Sequence, residues 1–233
     1  MRNSVMTAWL LAAALAAAPV AAQSLPAPEN VVQLAATGSV EVPQDWLAIS
    51  LTTTREGLDP QAVQSQLKQA LDAALAEARR SAAPGQLELR TGNFSIYPRQ
   101  TRDGKISGWQ GSAELVLEGR DFARISATAG RVQTMTMGRA SFSLSREQRG
   151  RVEGEAQALA IERFKAKAAD IARGFGFSGY GLREVSVQSN EPPPMVPMRA
   201  MAMEAKAAAD TAVPVEAGKT TVLVTVAGSV QLK

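Results

Sequence analysis

The chain has 233 residues, with 25 Lys and Arg against 22 Asp and Glu, and contains neither His nor Cys. Its charges are interspersed, so the formal net charge of +3 gives no basic patch for nucleic acid. Without His or Cys, the sequence excludes Ser-His-Asp and Cys-His nucleophile systems, His-ligated zinc or haem, thiolate sites and disulfides, and leaves carboxylate, Lys, Tyr or Ser-Lys chemistry.

The opening MRNSVMTAWLLAAALAAAPVAAQ combines an early arginine, an apolar run from Val5 to Ala18 and the A-x-A-like Val20-Ala21-Ala22. This pattern predicts a signal peptide over 1–22, cleaved on export to the periplasm. No later stretch approaches the roughly 20 apolar residues that a spanning helix needs, so no transmembrane helix is expected in the mature protein. Residues 23–30 read as a polar lead-in to one domain over 31–233.

From Val32 the apolar residues alternate through Val42, break at Pro43-Gln44-Asp45 and resume at Leu47, Ile49 and Leu51. Period two predicts either two strands or one strand with a bend. Asp59-Pro60 supplies an N-cap and an N1 proline, followed by a helical stripe of Val63, Leu67, Ala70, Leu71, Ala74, Leu75 and Ala78. In TGNFSIYPRQTRDGKISGWQGSAELVLEG, residues 91–119, the phase slips near Gly92-Asn93 and Asp103-Gly104 marks a turn. A bulged, projecting β-hairpin is expected there. Asp121 opens a short helix, ASFSL at 140–144 a short strand, and Ser145-Arg146-Glu147-Gln148 the longest helix. Gly150 and Gly154 weaken the first turns of that helix, where fraying or close packing is expected. Leu182, Val185 and Val187 suggest a further strand. Residues 191–217 are rich in Pro, Ala and Met without a period and read as a mobile insertion. Strict alternation from Val222 to Leu232 predicts a closing strand inside a sheet. The fold class is therefore α+β, a mostly antiparallel sheet packed by one short and two long helices.

The ordered segments GSVEV (38–42), LRTGNFSIYPR (89–99), ISGWQGSAELVLE (106–118), SFSLS (141–145), EAQALAIERFKAKAADIARGFGF (155–177) and PVEAGKTTVLVTVAGSVQL (214–232) resemble the SIMPL domain family. Trp109 stands where many members have Tyr. The resemblance implies an exported bacterial envelope protein, with relatives linked to oxidative-stress defence and some that assemble into rings, and with no established catalytic mechanism.

Phe94, Tyr97, Arg99, Arg102, Lys105 and Trp109 are the candidate assembly residues, since a long hairpin can offer its edge or aromatic face to another subunit. The same residues, with Asn93 and Pro98, could instead form a ligand groove or simply pack across strands. Glu162, Lys165, Lys167 and Glu184 are the remaining acid-base candidates, although such residues usually form a solvated face. Ser65-x-x-Lys68 matches the Ser-x-x-Lys nucleophile spacing, but its companion motifs are missing, with Lys219-Thr220-Thr221 in place of K-T-G. Met195, Met198, Met201 and Met203 offer thioethers to a soft metal or an oxidant.

The expected function is non-enzymatic, acting through self-assembly and contacts with envelope proteins, with tolerance of oxidative stress as the role that the resemblance implies. No cofactor or catalytic residue is expected. The alternatives are a small-molecule-binding protein or unrecognised enzyme using the hairpin groove, and a Met-based copper or oxidant buffer.

Overall fold

The computed structural model describes residues 29–190 and 216–233. The expected signal segment 1–22, most of the lead-in and the Met positions of the insertion lie outside them. Among the described residues the chain runs β1 (Val31–Pro43), β2 (Trp46–Gly57), α1 (Pro60–Arg79), β3 (Glu88–Gln100), β4 (Ile106–Gly119), α2 (Phe122–Arg131), β5 (Thr136–Ser143), α3 (Arg146–Gly174), β6 (Tyr180–Asn190) and β7 (Lys219–Leu232). The class is α+β and the paired strands are antiparallel.

The strands form two sheets rather than the one expected: three strands in the order β1-β7-β6 and four in the order β3-β4-β2-β5. The interruption at Pro43-Gln44-Asp45 is the physical cause. It ends pairing of β1 with β7 at Pro43↔Lys219, and Trp46 resumes pairing in the other sheet, opposite Ser143. The closing strand β7 is central, holding β1 on one side and β6 on the other.

Each sheet buries one face under helices. In the four-stranded lobe, Val63, Leu67, Leu71 and Ala74 of α1 and Ile125 and Ala129 of α2 pack on Leu47, Ile49, Leu51, Leu115 and Leu117. In the other lobe, Ala156, Ala160, Phe164, Ala168 and Ala172 of α3 pack on Leu34, Val224, Val226, Val230 and Leu232. Removing these side chains from water stabilises each lobe by roughly 25 cal/mol per Å² of apolar surface. The alanine row on α3 lets its backbone approach the sheet closely. A small cluster of Val42, Leu144, Val152 and Val222 lies where the chain passes between the lobes. Gly150 and Gly154 face open space within a continuous α3, so the close packing expected there is absent.

Helix starts follow their capping chemistry. The Asp59 carboxylate accepts from the N–H groups of Gln61 and Ala62, Asp121 accepts from Arg124 N–H, and Ser145 Oγ accepts from Gln148 N–H at 3.2 Å.

Candidate functional site

The β3–β4 hairpin is built around a bulge. Pairing runs Thr91↔Leu115 and then Phe94↔Ala113, so Gly92 and Asn93 of β3 together stand opposite the single residue Glu114 of β4. The Asn93 N–H donates to Glu114 Oε2 at 3.2 Å, and a Cβ on Gly92 would lie 2.2 Å from the same oxygen. A side chain at position 92 would make that carboxylate swing away from the Asn93 N–H. The bulge reverses the facing of the outer half of β3. Phe94, Ile96 and Pro98 share the α1 side with Ala113, Gly111 and Trp109, while Ser95, Tyr97 and Arg99 share the open side with Ser112, Gln110 and Gly108.

Tyr97 and Trp109 therefore occupy opposite faces of the hairpin. Trp109 is half-buried against the apolar core of its own lobe, whereas Tyr97 is 47% exposed on the uncovered face. Phe94 is exposed at the rim of the covered face. Arg99 is ion-paired with Glu56 of β2, and Arg102 and Lys105 are exposed at the tip. There Thr101 N–H donates to Lys105 O at 2.8 Å, and Gly104, at φ +75°, supplies the left-handed turn residue.

The acid-base candidates do not converge. Lys167 Nζ donates to the Ala35 carbonyl at 3.1 Å on one edge of the three-stranded sheet, and Glu184 stands on β6 at the other edge. Glu162 is exposed on α3, and Lys165 offers its backbone carbonyl to Tyr180 OH at 3.3 Å. Lys68 pairs with Asp72 at 3.2 Å, and Lys219 with Glu41 at 2.9 Å. A shallow hollow of about 450 Å³ crosses the face of the three-stranded sheet away from α3, lined by Gln33, Ala35, Glu184, Ser186, Ala227 and Ser229 among others. Its walls are mainly small side chains. Among the described residues there is no grouping of three or more His, Cys, Asp or Glu suited to a metal, and no helix is long and apolar enough to cross a membrane.

Polar groups do converge at the junction between the lobes. Asp45 accepts from Ser145 N–H at 2.7 Å and from Ser145 Oγ–H at 2.6 Å. Arg120 donates to Ser145 Oγ at 3.0 Å and to Glu147 Oε2 at 2.8 Å, with Asp45 Oδ2 at 3.6 Å from its Nε. The hydrogen bond to Glu147 is the main reason that the guanidinium pKa lies above its ordinary value. Ser145 is only 4% exposed and each of its polar atoms is occupied, which suits a buried clasp rather than a nucleophile. Sequence reasoning finds Ser145 as a helix cap but not its partners, because Asp45 lies 100 positions away.

The SIMPL profile, described as a protein of unknown function (DUF541), matches residues 32–230. The chain belongs to the SIMPL family. The match covers both lobes of this SIMPL protein, from β1 to β7. No curated protein matches the chain. Among solved structures, AtUAH in complex with (S)-hydroxyglycine is 10% identical, with a TM-score of 0.24, over 48% of this chain and 29% of that one. AtUAH in complex with glyoxylate is 12% identical, with a TM-score of 0.23, over 57% of this chain and 34% of that one. This chain thus spans about a third of the length of those structures, and a likeness of that depth carries no functional argument.

Proposed function

We propose that this SIMPL protein is an exported, non-enzymatic envelope protein that acts by self-assembly and protein contacts and serves tolerance of oxidative stress. The observation that carries the reading is Tyr97, half-exposed on the uncovered face of an edge strand. Strand β2 ends at Gly57, opposite Trp109, so the hairpin from Pro98 to Gly108 extends past it as a projection. An aromatic ring that is wet on one side and flanked by Ser95 and Ser112 suits a protein interface, where Tyr contributes area at low entropic cost. The residues that do converge, Asp45, Arg120, Ser145 and Glu147, are engaged in holding the lobes together, which favours a structural task over chemistry.

The test compares the wild-type protein with Tyr97→Ala, using light scattering for mass and circular dichroism for fold. A folded variant of smaller mass is the expected result. Unchanged mass would remove the hairpin from the assembly, and a wild type that is monomeric at high micromolar concentration would remove assembly itself. Export is checked separately, by an intact mass beginning at Gln23 in protein recovered from the periplasm.

A further inference from the structure

The two edges of the three-stranded sheet are unlike. On β1, Lys167 and Arg163 of α3 reach over and donate to the carbonyls of Ala35 at 3.1 Å and Thr37 at 2.6 Å. These bonds satisfy outward acceptors and place cations along the strand, as protected edges do. On β6, no side chain among the described residues hydrogen-bonds the backbone from Leu182 to Val187. Among the described residues, its outward N–H and C=O groups face no other strand.

That open edge is also apolar on one face. Leu182, Val185 and Val187 are 58%, 44% and 47% exposed. Their partners on β7 are Val230, Gly228 and Val226, so all three stand on the face that α3 covers. The α3 core residues sit over β1 and β7, and β6 is left beside the helix as the uncovered margin.

We propose that β6 is the seam of a two-fold pair with β6 of a second copy of this chain. The register shift between Leu182 and Glu184 favours a symmetric pairing. In a regular strand, residues 182 and 185 point to opposite faces. The extra residue at the shift returns Leu182, Val185 and Val187 to one face. An antiparallel two-fold centred between Arg183 and Glu184 then sets like faces against each other. Leu182 meets Val185 of the second copy, Tyr180 meets its Val187, and Arg183 meets its Glu184, each pair occurring twice. Opposite charges come together and six aliphatic side chains close over one another between the two α3 helices. The product is a six-stranded sheet in the order β1-β7-β6-β6-β7-β1 whose outer edges are the blocked β1 strands.

This seam uses no residue of the β3–β4 hairpin, so it stands or falls separately from the hairpin's role. The test measures the monomer–dimer constant of the whole protein as recovered from cells, by sedimentation. Arg183→Glu alone and Glu184→Arg alone each set like charges against each other twice, and each is expected to weaken the dimer by about tenfold. The charge-swapped double variant R183E/E184R is expected to restore wild-type affinity, which a mere loss of fold would not do. Because the chain has no Cys, a mixture of Leu182→Cys and Val185→Cys proteins should oxidise to a covalent heterodimer across the seam. The proposal is overturned if neither single charge variant changes the constant, if the swap fails to restore it, or if the cysteine mixture does not cross-link. It is also overturned if dimers appear only after residues 191–215 are deleted, since the chain's own segment would then occupy the edge. Loss of association in Tyr97→Ala with the charge variants unaffected would leave the hairpin reading intact and sink this one.

Discussion

Gly38 of β1 lies so close beneath α3 that a Cβ built on it would stand 2.0 Å from the Ala156 carbonyl oxygen and 2.7 Å from the Ala160 amide nitrogen. Both neighbours are backbone in the middle of a helix and cannot rotate away. Gly38→Ala must therefore lift α3 from the sheet, and a cost of about 2 to 4 kcal/mol is expected, at or above the usual range for overpacking. Gly150 lies in the same helix with nothing near its missing Cβ. There Gly150→Ala should stabilise by about 0.5 to 1 kcal/mol through helix propensity. Urea midpoints moving in opposite directions would bear this out, and a neutral Gly38→Ala would refute the close contact.

Much of this architecture is legible in the sequence. Asp59-Pro60 marks the start of α1, the phase slip at Gly92-Asn93 marks the bulge, and the alternation from Val222 to Leu232 marks an inner strand. Each of these signals is local. The division into two sheets is not, because Pro43-Gln44-Asp45 announces a break but not which distant strand each side will join; Val31 pairs with Gln231. The opposite facing of Tyr97 and Trp109 is written in the period-two pattern, since Trp109 is in phase with Leu115 and Leu117 and Tyr97 is out of phase with Ile96. Grouping the residues by aromatic type obscures it. The Asp45, Arg120 and Ser145 clasp leaves no spacing to read, because its members meet only after both lobes have formed.

The separation of the two aromatic residues predicts two different mutant classes. Trp109→Ala removes a ring that packs on the core and should cost about 2 to 4 kcal/mol of folding stability. Tyr97→Ala removes a ring from an open face and should cost less than about 1 kcal/mol. Chemical denaturation of the two single variants distinguishes them, and equal losses would show that the register across β3 and β4 is wrong.

Asp121 predicts acid sensitivity in α2. Its carboxylate accepts the Arg124 N–H at 3.0 Å and the Arg124 Nε–H at 2.9 Å, and these bonds, the backbone one foremost, hold its pKa below the ordinary value. The unfolded chain binds that proton with a pKa of about 3.9. A depressed folded value means that the stabilisation is complete above about pH 4 and is lost as the pH falls through the folded pKa. Asp121→Asn still offers a capping oxygen but does not titrate. Its urea midpoint should fall less steeply than that of the wild type below about pH 4, and parallel curves would exclude Asp121 as a source of the acid response.

The clasp at Asp45 predicts how the two lobes unfold together. Ser145 closes the connection from β5 and opens α3, while Asp45 lies in the connection from β1 to β2, so their two hydrogen bonds tie both crossings between the lobes at one point. Gln44 adds a third tie, donating from Nε2 to the Phe142 carbonyl at 3.0 Å. Apart from this clasp, the small cluster of Val42, Leu144, Val152 and Val222 is the apolar contact at the crossing. Asp45→Ala leaves the buried Ser145 N–H without its acceptor and should cost about 1 to 3 kcal/mol. The loss falls on the start of α3, so the three-stranded lobe is expected to unfold first. Trp46 and Trp109 both belong to the four-stranded lobe, whereas helical circular dichroism reports both lobes, through the 29 residues of α3 on one side and the 20 of α1 and 10 of α2 on the other. In the wild type, fluorescence and circular dichroism should therefore trace one urea transition, as a cooperative unit requires. In Asp45→Ala the circular dichroism midpoint should move to lower urea than the fluorescence midpoint. Coincident transitions in that variant would show that the lobes are coupled by something other than the clasp.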